Sequence, residues 1–256
     1  MDTLPEETPL ALLMQAAARD LALLAGVQDR ELDQAALTAL REIGFPASLA
    51  LPPEGEDGRR ALSLLAEVME RLGSEPVEPA VLDDLAADYA DIYLNHSIQA
   101  SPMESVWLDE DGLVMQEPMF QVRAWYHRFG MAAENWRMRT DDHLVLQLQF
   151  LARLAERLPQ QADQAEWLVG MARFLDEHLL RWIGRFGERV AQRCSTPFYA
   201  GVAMLTAAWL EQFRNLLAEL LDQPRPSPEE IEARMRPKAE PVEVPVKFMP
   251  GVAPSW

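Results

Sequence analysis

Along most of this chain apolar side chains recur at three- and four-residue intervals, which predicts one helix after another and no convincing strand before residue 222. The clearest stretch is 140–158, TDDHLVLQLQFLARLAERL, where Leu144, Leu148, Leu151, Leu154 and Leu158 mark one helical face. Val145, Leu146 and Phe150 widen that face until it must be covered on nearly two sides, so a central helix is expected. Thr140 or Asp141 is placed to cap its first turn, Asp141 and Asp142 put negative charge at the positive end of the helix dipole, and Pro159 stops it. His143 then falls in the first turn, as part of the cap, as the partner of an acid, or with its ring at the rim of a pocket.

The same spacing places helices at 10–25, broken by Gly26, and at 31–42, ended by Gly44 and Pro46. Others fall at 59–72, closed by Gly73, and at 81–94, with Leu82, Leu85, Tyr89, Ile92 and Tyr93 inward. Pro118 suits the first turn of a helix carrying Val122, Trp125, Tyr126 and Phe129. A long helix follows from about 162 to 182, with His178 and Trp182 on its apolar face, after which Gly184 and Gly187 loosen the chain. Thr196 and Pro197 make a cap and first-turn pair for a last helix reaching Leu221. Residues 95–107, NHSIQASPMESVW, are too irregular for an element and present an acid, Glu104, and a large aromatic, Trp107; such loops either display side chains to a partner or plug onto the core.

From residue 224 the pattern changes, because eight of the 19 prolines lie in the last 33 residues. We expect an all-α, single-domain multi-helix bundle over 1–223 and an extended proline-rich tail over 224–256, with one helical turn at 228–235. Val246, Phe248, Met249 and Trp256 at the end of that tail are candidates for docking.

Charge narrows the function. Forty-one acidic against 23 basic residues give a formal net charge of −18, and because the tail is balanced the excess belongs to the body. Such a surface repels nucleic acid and anionic lipid and attracts a basic peptide. Cys194 is the lone cysteine, so no internal disulfide or thiolate cluster is available and a reducing compartment is expected. The acidic start, MDTLPEETP, lacks the basic opening of a secretory signal, and the longest apolar run, 198–210, is shorter than the ~20 residues of a membrane span. Cytoplasmic residence without stable membrane insertion follows as an expectation.

Catalytic chemistry is not legible. No nucleophile elbow or Cys–His context appears, none of His96, His127, His143 or His178 follows a glutamate by three residues, and no glycine-rich phosphate loop exists. No catalytic residue, metal site or cofactor is therefore expected. A binding protein is favoured over an enzyme. A helical adaptor or regulator would share this fold and charge, and a cofactor carrier would need His143, His178 or Cys194 as a ligand.

Four motifs in order resemble the TorD/DmsD/NarJ family of cytoplasmic chaperones for molybdenum oxidoreductases. They are Asp88-Tyr89-Ala90-Asp91-Ile92-Tyr93, Ser101-Pro102-Met103-Glu104-Ser105-Val106-Trp107, Asp141-Asp142-His143-Leu144, and the 174–182 stretch FLDEHLLRW. Ile92 and Tyr93 stand where that family has Leu and Phe, and Asp141 where it has proline. The resemblance covers about residues 10–221. It implies an all-helical protein that catalyses nothing and binds the apo catalytic subunit of a molybdopterin-dependent oxidoreductase, often at its twin-arginine signal peptide, until cofactor is inserted. On this reading Tyr89, Tyr93, Glu104, Ser105 and Trp107 line a partner-binding groove with Asp142 and His143 at its edge. The protein is a monomer, or a homodimer made by exchanging helices across the linker at 130–139.

Overall fold

The longest helix, Pro197–Leu221, forms the centre of the molecule, with residues as large as Phe198, Tyr199, Trp209 and Phe213 buried along it. The structure, a computed structural model, describes residues 8–73, 76–134 and 139–236. In chain order its helices are α1 (Pro9–Asp29), α2 (Gln34–Glu42), α3 (Glu56–Leu72), α4 (Pro79–Tyr89), α5 (Ser105–Leu108), α6 (Glu117–Arg128), α7 (Leu144–Arg157), α8 (Gln164–Glu177), α9 (Ile183–Arg193), α10 (Pro197–Leu221) and α11 (Pro228–Met235). A π-helical turn, Ala90–Leu94, extends α4. Among the described residues the one β-type pairing is an isolated bridge between Met103 and His143, so the all-α expectation holds.

Two packing layers follow from the apolar stripes. The helix α10 lies against α3, α8 and α9 and touches α1, while α7 packs along α1. Among the described residues α1 is the one helix long and apolar enough to cross a membrane. In this fold its apolar face is spent on the core, with Met14, Leu21, Leu24 and Val27 buried. Buried carboxylates tie the layers together. Asp20 accepts the backbone N–H groups of Ala50 and Leu51 at 2.8 Å and the Trp209 indole N–H at 3.1 Å. Asp176 holds Arg214 through two bonds of 2.9 and 2.7 Å, a bidentate geometry that compensates burial of both charges.

Several local expectations are corrected. The first helix runs through Gly26 to Asp29, because three further residues continue the hydrogen-bond ladder beyond the glycine. The helix expected over 162–182 stops at Glu177, where His178 takes φ −126° and ψ −89°, and a 3₁₀ turn, Leu179–Arg181, leads into α9. Gly184 and Gly187 lie inside α9 and do not loosen it. Gly187 is needed for closeness: a Cβ there would sit 3.2 Å from the Ala203 carbonyl oxygen of α10. Thr196 does precede α10, but its hydroxyl makes no cap bond. Asp88 instead fixes the turn that enters α10, accepting the Ser195 and Thr196 N–H groups at 2.8 and 2.5 Å.

The chain divides after Arg225 into two units. The second begins at Pro226 and contains α11, whose Ser227 and Glu230 form a reciprocal capping box and which buries no residue. Val246, Phe248, Met249 and Trp256 lie outside the described residues.

Candidate functional site

The start of α7 is built as a knot with the loop before α5. Leu144 N–H donates to the Pro102 carbonyl at 2.7 Å and Glu104 N–H to the Asp142 carbonyl at 3.1 Å. The Asp142 carboxylate accepts both the Ser105 N–H at 2.8 Å and the Ser105 hydroxyl at 2.6 Å through one oxygen. Glu104 accepts the Gln147 amide at 2.9 Å and faces Nδ1 of His178 at 2.8 Å. Asp142, Glu104 and His178 are all 0% exposed. Asp141 accepts Arg123 at 2.7 Å, and its carbonyl takes the Tyr126 hydroxyl at 2.7 Å.

Three of the four motif stretches thus meet in one buried polar network. Asp142 was expected at the edge of the groove and Glu104 in its lining; both are instead fully buried and hydrogen-bonded within their own chain, the usual condition for burying a carboxylate. Thr140 and Asp141 do not cap α7. His143 does, accepting the Val145 N–H at 3.2 Å through Nδ1. Burial, with Arg139 and His96 nearby, pushes the His143 pKa from 6.5 down to about 3, so the ring is neutral and free to accept.

Beside this knot runs a groove of about 1440 Å³. One wall is α1, through Ala18, Ala22 and Gly26; the other is α7, through His143, Leu146 and Phe150. Tyr93, Met103 and Met131 also line it. Of the residues expected at the site, Tyr93 and His143 line this groove. Tyr93 is fixed by its hydroxyl, which donates to Gln28 at 3.0 Å, and Gln28 in turn reaches Thr206 of α10 at 3.2 Å. Tyr89 lies behind Tyr93, ring centroids 5.0 Å apart, with its hydroxyl on the Asp29 carbonyl at 2.8 Å. Ser105 is buried in the knot. Trp107 faces another way, stacked on Trp182 at 6.4 Å and covered by Arg185 and Arg189 of α9.

Sequence reading missed the α1 wall. Its signal was the repeat of small residues at Ala18, Ala22 and Gly26. The sign of the groove does not follow from the net charge of the body. Arg19, Arg139, Arg153 and Arg157 line it against Glu134 and Glu156, so the acidity of the body is not concentrated there. Arg139 is bound to Asp29 and Arg153 to Glu156.

The ligands a cofactor carrier would need are dispersed. His178 is held by Glu104, His143 caps α7, and the Cys194 thiol donates to the Thr196 carbonyl at 3.2 Å. Burial and nearby Asp88 push the Cys194 pKa up to about 11, which keeps it a thiol. Among the described residues no cluster of three His, Cys, Asp or Glu is placed to hold a metal ion.

Comparison with known proteins bears on the same residues. The family described as the nitrate reductase delta subunit matches residues 52–188, which include the knot, the whole of α7 and α8. A protein of Vibrio cholerae serotype O1 named chaperone protein TorD is 32% identical over 168 residues, 64% of this chain and 74% of its own length. Chaperone protein TorD of Aliivibrio fischeri is 30% identical over 178 residues, covering 68% of this chain and 80% of the relative. That of Vibrio vulnificus strain YJ016 is 29% identical over 184 residues, 70% and 84% respectively.

Proposed function

The chain belongs to the nitrate reductase delta subunit family, which includes the TorD chaperones, and from that premise we propose that it is a chaperone for the apo catalytic subunit of a molybdopterin-dependent oxidoreductase. It holds that subunit for cofactor insertion and catalyses no reaction. The observation that carries this reading is the groove between α1 and α7, lined by apolar residues such as Tyr93, Met103, Leu146 and Phe150 and by His143 of the family's Asp-His motif. A site of this form suits an apolar peptide stretch laid between two helices.

In this reading Tyr93 and His143 touch the client. Tyr89, Glu104, Ser105 and Asp142 act behind them, fixing the loop and the helix start that shape the groove, and Trp107 serves a different face. The client stretch is the hydrophobic part of a twin-arginine signal or an equivalent segment of the mature subunit. Because the groove's own cations outnumber its acids, any paired arginines of the client engage the acidic surface outside it. Exchange of helices across residues 130–139 belongs to the same proposal, since the α1–α7 and α3–α10 contacts join elements on opposite sides of that linker and would be rebuilt between two copies. The cytoplasm is where such a client is synthesised and loaded.

Calorimetric titration of a signal peptide from a molybdenum oxidoreductase of the same cell tests this. The expected result is binding that survives replacement of its arginines by glutamine with only a modest loss, and collapses when its apolar stretch is made polar. Absence of binding both by the peptide and by the apo subunit would overturn the function. Loss of binding on arginine replacement alone would overturn the groove assignment.

A further inference from the structure

The residues Arg181, Arg185, Arg189 and Arg193 follow one another at four-residue intervals, the last three along α9. At a rise of about 1.5 Å per residue, successive members stand roughly 6 Å apart. The three on α9 reach back to the same segment. Arg185 donates to the Trp107 carbonyl at 3.1 Å, Arg189 to the Gln99 carbonyl at 3.1 Å, and Arg193 to the Ile98 carbonyl at 3.0 Å and the Gln99 side-chain oxygen at 2.8 Å. Two of them bracket an aromatic ring: Arg185 and Arg189 each lie 5.6 Å from the centroid of Trp107.

Every one of those acceptors is neutral. Among the described residues Arg185, Arg189 and Arg193 form no ion pair, whereas Arg123, Arg128, Arg139, Arg173, Arg214 and Arg225 each reach a carboxylate. In a chain with 41 acidic side chains for 23 basic ones, an uncompensated row of cations is against the statistical trend. Stapling the 98–107 segment requires donors, not charge, and like charges one turn apart on a helix repel. A guanidinium has five N–H donors, and each arginine here spends one or two on the segment. Arg185 and Arg193 are exposed, and the ring and carbonyls already restrict all three, which lowers the ordering cost of binding a second partner.

We propose that this face docks an acidic segment of another protein, a helix with carboxylates repeated at one-turn spacing that meet the arginines in register. A nucleic acid or an anionic membrane presents an extended negative surface, which the net charge of −18 would repel over the rest of the body. A short acidic helix touches only the row. The surface is separate from the proposed client groove, since none of these arginines, nor Trp107, lines that groove, so either assignment stands if the other fails.

The test titrates an alanine-based helical peptide with glutamate at every fourth position, and its glutamine counterpart, into the full chain at low and physiological salt. The glutamate peptide should bind, more weakly as salt rises, and the glutamine peptide should not. The double variant Arg185→Glu, Arg193→Glu should lose at least about tenfold in affinity while remaining folded, with the modest fall in melting temperature that loss of the staple brings, and Arg185→Lys, Arg193→Lys should keep most of the affinity. If charge reversal unfolds the chain, Arg185→Gln, Arg193→Gln gives the same reading. Equal binding of the two peptides, indifference to the loss of charge, or tighter binding of duplex DNA or phosphatidylglycerol vesicles than of the acidic peptide would overturn the proposal.

Discussion

At the scale of single residues, the Asp142-His143 pair shows how a motif that looks like a binding site can be the frame of one. Asp142 spends its charge on Ser105, a residue 37 positions earlier, so Asp142→Asn is expected to destabilise the chain by about 1.5–3 kcal/mol, the worth of hydrogen bonds to a charged group. Chemical denaturation measures this; an unchanged midpoint would mean the bond to Ser105 contributes nothing. His143 gives a pH signature. Its pKa falls from 6.5 to about 3 on folding, so below pH 6.5 the unfolded chain takes up a proton that the folded chain refuses. The contribution is full above pH 6.5 and is lost by about 1.4 kcal/mol per pH unit as the pH falls towards 3. His143→Asn keeps a capping oxygen and should remove that part of the slope between pH 6 and 4. Neither assignment was legible beforehand. Sequence shows that Asp and His open a helix; it does not show that a serine from a distant loop will occupy the aspartate, or that burial will hold the ring neutral.

At the scale of elements, periodicity located the helices well where a proline or glycine marked their ends. The ends of α10 at Pro197 and Leu221 and the closure of α3 at Gly73 were readable from a proline, a glycine and an apolar stripe. Gly73 has φ +64°, a conformation other residues rarely adopt. Reading failed where glycine has two meanings. Gly26 was expected to break α1 and Gly187 to loosen α9, yet the first is merely tolerated and the second permits close approach to α10. Contacts distinguish the two roles. A Cβ at Gly26 would meet nothing within 4 Å, whereas one at Gly201 would lie 2.6 Å from Cγ of the buried Leu65. Gly26→Ala should therefore raise stability by up to about 1 kcal/mol through helix propensity. Gly201→Ala should lower it, because overpacking of about 1–3 kcal/mol exceeds the same gain. Thermal denaturation of the two variants checks the opposite signs; a shift in the same direction for both would contradict the assigned packing. The break at His178 had no sequence signal, since its apolar spacing continues unbroken from Leu175 to Trp182.

At the scale of the whole molecule, composition and family motifs together indicated a helical binding protein, while the distribution of charge did not follow from its total. The excess of acid lies outside both cationic features, the groove beside α1 and the arginine row of α9. A net figure cannot reveal that, because arginines eight residues apart become neighbours of distant loops only after folding. The account therefore rests on the groove. Ala22 projects into it from α1 and is exposed there, so Ala22→Trp should fill the groove without disturbing the core. The most direct measurement is affinity purification of the wild-type chain and of Ala22→Trp from the native cell, with the co-purifying proteins quantified by mass spectrometry. We expect the apo catalytic subunit of a molybdenum oxidoreductase with the wild type and its loss with the variant at equal thermal stability. Recovery of that subunit in equal amount by both, or of unrelated partners alone, would contradict the account.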